Sequence, residues 1–168
     1  MTIAIRPATA ADIPAIQAIY AHHVLNGLGT FEETPPDESE MATRLAVVEG
    51  HGMPWLVAES SDSAVGYAYA APFRLRSAYR YTVEDSIYIA PGHQGQGVGK
   101  RLLHDLIAEC RTLGLREMLA VIGDSGNLGS IRLHQTFGFQ HCGILRNVGL
   151  KFGRWVDVVM MQLTITTT

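Results

Sequence analysis

Three glycines stand at every second position in the middle of the chain, at Gly95, Gly97 and Gly99. They lie between an apolar segment that favours a strand and a segment whose leucines have helical spacing. Glycine has no Cβ and tolerates positive φ, so successive backbone N–H groups of such a loop can face one concavity. The N-terminus of the following helix adds its positive dipole there. We therefore expect an anion site at this loop, most naturally for a phosphate group.

Three phosphate-binding motifs can be compared with this loop. A Walker A loop fails because Gln94 stands where its first glycine is required and Arg101 where Ser or Thr is required. A dinucleotide fingerprint fails because its third glycine is replaced by Lys100 and because the loop lies in mid-chain. The pattern Gln/Arg-x-x-Gly-x-Gly is satisfied by Gln94, Gly97 and Gly99. A glycine-rich turn that holds no ligand is the alternative.

Strand-like and helix-like segments alternate along the rest of the chain. Strands are predicted at Ile3–Arg6, Trp55–Ser60, Ala64–Ala71, Val83–Ile89, Met118–Ile122, Cys142–Leu150 and Trp155–Leu163. Helices are predicted after a cap at Thr9 or Asp12, after a cap at Asp37, after the glycine loop and over Ser130–Phe137, with Val24–Pro36 as a loop. We expect one layered α/β or α+β domain over 1–163, followed by a flexible tail over 164–168.

Composition and charge exclude several classes of protein. A hydrophobic fraction of 47% is too high for an intrinsically disordered chain, and no apolar run approaches the roughly 18 residues that cross a membrane. The formal net charge of -3 argues against a nucleic-acid binder of the basic-patch kind. Met1–Arg6 has no charged segment followed by an apolar stretch, so a secretory signal is not expected and a cytoplasmic location is predicted.

The cysteines and most histidines give no indication of a metal site. Cys110 and Cys142 are isolated, which suits free thiols better than a disulfide scaffold or a zinc site. The histidines without ligand spacing are expected at the surface or at caps; they are His22, His23, His51, His93, His104 and His141. No metal is therefore expected.

Further motifs surround the glycine loop. The strand-like segment Ser86–Ile89 precedes it, and an Asn, a short helix and a Gly-Phe pair follow it. The residues of this later motif are Asn127, Ser130, Leu133, His134, Gly138 and Phe139. Together with the glycine loop they resemble the two cofactor motifs of the GCN5-related N-acetyltransferases. The resemblance includes the opening Ile5–Thr9 and extends over the whole chain.

Five stretches carry a narrower resemblance. They are Thr30–Pro36, Ser77–Glu84, His93–Gly99, Val121–Gly123 and Gly149–Val158. These stretches resemble the phosphinothricin and methionine sulfoximine N-acetyltransferase branch of the family. Members of that branch act on amino acids that resemble a glutamine-synthetase transition state, typically as homodimers. The apolar end strand, from Val156 to Met161, offers surface for such an interface.

The resemblance implies a fold, a co-substrate and a reaction. The fold is a central mixed, mostly antiparallel sheet of about seven strands flanked by about four helices, as in the family. The co-substrate is acetyl-CoA, and transfer is direct, without metal or covalent enzyme intermediate. The cofactor-binding residues are expected to be Ile87, Tyr88, Ile89, Gln94, Gly95, Gln96, Gly97, Val98, Gly99, Lys100, Asn127 and Ser130. For Asn127, a turn residue before a helix is the alternative.

Acetyl transfer requires a proton acceptor, an oxyanion donor and a partner for the leaving thiolate. Glu84 is the expected base, either directly or through water, with a plain exposed carboxylate as the alternative. The resemblance implies that the backbone N–H of Ile89 stabilises the oxyanion. Asp85 shares a strand face with apolar neighbours, which indicates either a bulge or a paired carboxylate.

His134 stands where many family members have a tyrosine near the thiolate. A phenol is therefore not the acid in this chain. His134 is expected to donate a proton or to hydrogen-bond the cofactor, and a satisfied structural histidine is the alternative.

The amine-acceptor side is predicted to be cationic. Arg74, Arg76 and Arg80 cluster between two strands, and their guanidinium forks suit a carboxylate or phosphinate. A solvated basic loop is the alternative. The full set of expected substrate residues is Phe31, Glu32, Arg74, Arg76, Arg80, Tyr81, Thr82, Val83 and Glu84. Phe31 and Glu32 are expected as walls of the pocket, with a simple loop anchor as the alternative.

The predicted function is acetyl-CoA-dependent N-acetylation of a small amino-acid analogue: phosphinothricin, methionine sulfoximine or methionine sulfone. Another small amine or a protein N-terminus is the enzymatic alternative. A non-catalytic acyl-CoA-binding regulator is the alternative from another class. No nucleic acid or membrane is expected as a partner.

Overall fold

The computed structural model describes residues 3–61 and 63–165, and within them seven strands form one sheet in the order β1-β2-β3-β4-β5-β7-β6. The strands are β1 Ala4–Pro7, β2 Trp55–Ser60, β3 Ser63–Pro72, β4 Thr82–Ile89, β5 Glu117–Gly123, β6 Gln140–Lys151 and β7 Arg154–Thr164. The helices are α1 Ile13–Asn26, α2 Glu38–Gly50, α3 Val98–Thr112 and α4 Leu128–Thr136, with short 3₁₀ turns at Ala10–Asp12 and Ser77–Tyr79. In the described ranges no helix is long and apolar enough to span a membrane.

Neighbouring strands are antiparallel except for β4 and β5, which run parallel. The expectation of a mixed, mostly antiparallel sheet with flanking helices is confirmed. The β4–β5 pairing extends only from Thr82 and Glu117 to Asp85 and Ala120. Beyond that point the two strands separate, and this separation positions the site described below.

The two faces of the sheet carry separate cores. On one face α3 packs through Leu102, Leu103 and Leu106, all fully buried, and α4 adds Ile131. On the other face α1 and α2 cover the aromatic side chains of the central strands, among them the buried Tyr67. Because successive side chains of a strand alternate between faces, β4 contributes to both cores.

Local signals set the helix boundaries. The carboxylate of Asp37 accepts the backbone N–H of Glu40 at 2.8 Å and caps α2 as predicted. Helix α1 extends beyond the predicted loop start to Asn26, because the completely buried Val24 continues its apolar face. Gly114, with φ of 74°, ends α3 in the left-handed conformation that favours glycine.

The end of the chain differs in part from the expected tail over 164–168. Strand β7 includes Thr164, and Ile165 is only 4% exposed. The N–H of Ile165 donates to the carbonyl of Arg116 at 2.7 Å. Burial of this apolar side chain therefore fixes 164 and 165 in the fold, whereas 166–168 lie outside the described residues.

Candidate active site

The separation of β4 from β5 opens a cavity of about 560 Å³. Its wall includes most of the residues predicted to bind a cofactor: Ile87, Tyr88, Ile89, Gln94, Gly95, Gly97, Val98, Gly99, Lys100, Asn127 and Ser130. Gln96 lies outside it, because its side-chain amide turns back to donate to the carbonyl of Gly92 at 2.7 Å. Residues from two distant motifs thus share one cavity.

The glycine loop has the geometry that an anion site requires. Gly95 and Gly97 have φ of 72° and 83°, in the left-handed region that side chains disfavour. Helix α3 begins directly afterwards at Val98, so its first backbone N–H groups have no partner within the helix. These donors and the positive end of the helix dipole lie beside the cavity.

The open edge of β4 provides backbone groups along the cavity. Ala90 donates its N–H to Val65 at 2.9 Å, and Thr82 accepts from Phe73 at 3.1 Å. Peptide groups alternate in direction along a strand. Those of Ile87 and Ile89 therefore face away from β3, toward the space where β5 no longer pairs with β4. A ligand with amide groups can pair with this edge as an added strand would.

His23 of α1 forms a hydrogen bond with one peptide group of this edge, the carbonyl of Ile89. Its Nε2 lies 2.8 Å from the carbonyl oxygen of Ile89. Burial lowers the pKa of His23, and the half-buried ring lines the cavity. His93 also lines it. His93 remains partly exposed in the loop, so the expectation of a surface or cap position is wrong only for His23, whose contact with the distant β4 no local pattern indicated.

Asp85 and His134 form a buried pair at the cavity wall. His134 Nε2 lies 3.0 Å from a carboxylate oxygen of Asp85, and the two residues are 7% and 3% exposed. The β3–β4 register has no shift, so of the two alternatives for Asp85 the paired carboxylate is the one found. Its other oxygen, Oδ1, has no hydrogen-bond partner among the described residues.

The surroundings of His134 favour an imidazolium ion. Its Nδ1 lies 2.7 Å from the carbonyl of Ser130, and its Nε2 faces Asp85, so both ring nitrogens face acceptors. Burial lowers the pKa of His134, but the hydrogen bond and charge of Asp85 outweigh burial and the net shift is upward. Both ring N–H groups are then used within the protein, as in a structural histidine.

Asn127 also has local partners. Its side-chain oxygen accepts the backbone N–H of Ser130 at 3.2 Å and caps α4. Its amide donates to the carbonyl of Gly123 at 3.1 Å. The geometry matches the turn residue that was the alternative reading of Asn127, although the side chain borders the cavity.

Glu84 lies on the face of β4 opposite Asp85 and is half-buried. Burial and the negative charge of Asp85 raise its pKa, while Arg74 opposes this shift. Glu84 does not line the cavity, but Ser86, two residues along the same face and hence roughly 7 Å away, does. The side chain is therefore a partly desolvated carboxylate close to the open edge.

The other predicted substrate residues lie outside the cavity wall. Arg74, Arg76 and Arg80 are exposed between β3 and β4. The guanidinium of Arg74 lies 5.0 Å from the ring of Phe73, and that of Arg80 lies 4.8 Å from the ring of Tyr81. Thr82 is half-buried, and Tyr81 is exposed. Val83 is 1% exposed and packs in the core below α3, so its side chain is not available to a substrate.

The loop between α1 and α2 is anchored by Phe31. Its ring fills the space where side chains at Gly123 and Gly149 would lie. The anchor alternative therefore describes Phe31, although the residue remains 38% exposed.

Glu32 and Thr30 of the same loop have partners that were not predicted. Arg44 donates to both carboxylate oxygens of Glu32, at 2.9 and 2.7 Å, and lowers the pKa of Glu32. The hydroxyl of Tyr20 donates to the same carboxylate. Lys151, 1% exposed, donates to the carbonyl of Thr30 at 2.7 Å. The Glu40–Arg44 spacing on α2 was a signal for a helical ion pair, but nothing local identified Glu32 as a partner.

Comparisons with known proteins agree with this geometry. The family model of the acetyltransferase (GNAT) family matches residues 16–139. Phosphinothricin N-acetyltransferase of Alcaligenes faecalis is 56% identical over 151 residues, which cover 90% of this chain and 77% of that protein. L-methionine sulfoximine/L-methionine sulfone acetyltransferase of Salmonella typhimurium is 42% identical over 164 residues, with 96% and 94% covered.

A solved structure shows the same fold. The phosphinothricin acetyltransferase of Sinorhizobium meliloti in complex with AcCoA has a TM-score of 0.94 and 47% identity, covering 98% of this chain and 89% of that one. The resemblance inferred from the motifs is confirmed: the chain belongs to the acetyltransferase (GNAT) family.

Proposed function

We propose that this protein transfers the acetyl group of acetyl-CoA to the amino group of a small amino-acid analogue. Phosphinothricin, methionine sulfoximine and methionine sulfone are the preferred substrates. The observation that carries the proposal is the cavity in which the open edge of β4 meets the glycine loop at the N-terminus of α3. The named relatives support the same activity and the same substrates.

Acetyl-CoA suits the two halves of this cavity. The glycine loop and the first turn of α3 supply N–H donors for the pyrophosphate. The peptide groups of Ile87 and Ile89 suit the amides of the pantetheine arm. The thioester then lies near β4, where the N–H of Ile89 is the proposed donor to the oxyanion.

Direct transfer within a ternary complex requires little further chemistry. The neutral amine attacks the thioester carbonyl, a C–N bond forms, the C–S bond breaks and CoA leaves as the thiolate, which takes up the second proton lost by the attacking nitrogen. Glu84 is proposed to take the ammonium proton through a water molecule, since burial raises the pKa of its carboxylate toward neutral pH and makes it a better base. His134, whose N–H groups are engaged by Ser130 and Asp85, is proposed to act through its positive charge near the thiolate.

The first prediction concerns substrate choice. Carboxylate-bearing substrates suit the arginines at 74, 76 and 80, whereas a polycationic amine that lacks a carboxylate is repelled. We expect kcat/KM to be highest for methionine sulfoximine, methionine sulfone or phosphinothricin in a thiol-release assay that also includes a polyamine, an aminoglycoside and a short peptide. A faster polyamine or aminoglycoside would overturn the substrate class but not the use of acetyl-CoA. Absence of thiol release with every amine, despite acetyl-CoA binding, would favour a non-catalytic binder.

The second prediction tests the glycine loop. Gly97→Asp places bulk and negative charge where the pyrophosphate is proposed to bind. Calorimetry should show acetyl-CoA affinity reduced by at least about tenfold, or about 1.4 kcal/mol. Gly92→Asp is the matched control, because Gly92 has φ of 81°, has open space around its Cβ position and lies outside the cavity wall. Equal affinities in the two folded variants would remove the loop from the site.

The third prediction tests Glu84. Glu84→Gln keeps the side-chain shape but cannot accept a proton, so kcat should fall by about 10²-fold or more with acetyl-CoA affinity little changed. Because burial raises the pKa above the ordinary 4.5, the active carboxylate forms as pH rises through that raised pKa. Wild-type kcat/KM should therefore increase across this range, and the variant should lack that limb. Near-normal kcat of the variant between about pH 6 and 9 would exclude this role.

The fourth prediction concerns a homodimer. Of the apolar residues of β7 expected at the interface, Val156, Val158, Val159 and Met161 are buried within the protomer and Met160 is half-buried, so that expectation is corrected. The exposed large apolar side chains of the β6–β7 hairpin are instead Ile144, Leu145, Val148, Leu150, Phe152 and Trp155, and we propose this face as the interface.

Light scattering of the wild type should give twice the protomer mass of 18.3 kDa. Trp155→Glu should shift the mass toward the protomer, because it introduces charge at a side chain 63% exposed on this face. Val47→Glu on α2, at a side chain 54% exposed, is the control and should leave the mass unchanged. A protomer mass for the wild type at micromolar concentration would contradict the dimer. The cytoplasmic location stays a prediction from the sequence.

A further inference from the structure

His23 joins helix α1 to the end of the open β4 edge. Its Nε2 lies 2.8 Å from the carbonyl oxygen of Ile89. A carbonyl oxygen can only accept, so Nε2 carries the hydrogen and donates. Burial of the half-exposed ring lowers the pKa of His23, which is consistent with a neutral ring protonated on Nε2 at neutral pH. The contact therefore defines the tautomer as well as the position of the ring.

The carbonyl that His23 binds faces the space between β4 and β5. The N–H of Ala90 pairs with β3, and the peptide groups of Ile89 point the other way because directions alternate along a strand. An open edge normally offers alternating donors and acceptors to a ligand that pairs with it. Because His23 already occupies one lone pair of the Ile89 carbonyl, that oxygen is a weaker acceptor for the ligand than the carbonyl of Ile87, while the N–H of Ile89 remains available.

We propose that His23 is a positioning residue for acetyl transfer, which caps the Ile89 carbonyl and thereby sets the register of the acyl-thioester arm on β4. The inference rests on the proposed function, since it assumes that this arm pairs with the open edge. If the cap is removed, the arm can shift along the edge to use the free acceptor. The thioester is then displaced from the attacking amine although binding persists, and small displacements of reacting atoms cost large factors in rate.

A purely structural role is the competing explanation. In that case the hydrogen bond only ties α1 to β4, and its loss lowers stability without separating kcat from binding. His23 also packs against the ring of Tyr88 at a centroid distance of 5.4 Å, so ring volume and the hydrogen bond must be tested separately.

Three variants make this separation. His23→Phe keeps a ring but removes the donor, and His23→Gln restores an N–H donor without the ring. His22→Phe is the matched control on the same helix, because His22 does not contact β4 or line the cavity and a Phe keeps the edge-on ring contact that His22 makes with His23 at 5.6 Å. Circular dichroism and Tm confirm that each variant is folded before kinetics are compared.

The expected result is a split between catalysis and binding. His23→Phe should lower kcat by at least about tenfold, while the acetyl-CoA Kd stays within about threefold of wild type or decreases. His23→Gln should recover most of kcat, and His22→Phe should match wild type. Infrared spectra of bound, isotope-labelled acetyl-CoA should show a thioester carbonyl stretch that shifts in His23→Phe and returns in His23→Gln.

Other outcomes overturn the inference. Equal kcat values in His23→Phe and His23→Gln, a loss confined to acetyl-CoA Kd, or an equal loss in His22→Phe would each reduce His23 to a structural contact. If His23→Phe does not fold, His23→Leu, which also lacks a donor, takes its place: a lower kcat and a shifted carbonyl stretch in His23→Leu but not in His23→Gln supports the register role, and equal values in the two variants decide against it. Failure of the wild type to release thiol is a separate result, which would contradict the proposed function rather than the role of His23.

Discussion

The short parallel pairing between β4 and β5 is the constraint on which the site depends. It comprises the pairs from Thr82–Glu117 to Asp85–Ala120, after which the strands separate. Backbone groups need hydrogen-bond partners, so the peptide groups exposed by this separation form an edge with which an amide-bearing ligand can pair. Asp85 stands at the last pair and bonds to His134 of α4, so a polar contact closes the core at the base of the cavity. The same separation leaves space for the glycine loop and the N-terminus of α3 at the other end.

On the opposite face, a loop without regular structure is held by contacts of three kinds. The ammonium group of Lys151 binds the carbonyl of Thr30, the ring of Phe31 fills the space beside two glycines, and Arg44 binds both oxygens of Glu32. Burying an ammonium group is costly unless it has a hydrogen-bond partner, and burial accordingly lowers the pKa of Lys151. These contacts join the loop to α2, to the end of β5 and to β6. They give a defined position to a segment that propensity alone would leave open.

Much of the fold was predictable because its signals are local. Helix α2 was indicated by the cap at Asp37, α3 by the spacing of Leu102, Leu103 and Leu106, and the turn before α3 by alternate glycines. The motif at 127–139 was predicted to meet the glycine loop only through resemblance to a family. The contacts that were missed join residues far apart in the chain: Lys151 and Thr30 are 121 positions apart, and His23 and Ile89 are 66 apart. No periodicity or capping pattern in a single sequence indicates which residues so far apart in the chain will form a hydrogen bond.

The sequence by itself determined the elements, the glycine loop and the family, since each depends on neighbouring residues or on a motif of fixed spacing. Only the tertiary structure decided what the polar side chains do. It pairs Asp85 with His134, takes Glu32 and Asn127 into internal contacts, brings His23 into the cavity wall and buries most of the apolar residues of β7 within the protomer. The physical reason is that a polar group's role depends on which donors, acceptors and charges surround it after burial, and these neighbours are brought together by the packing of the sheet and its helices.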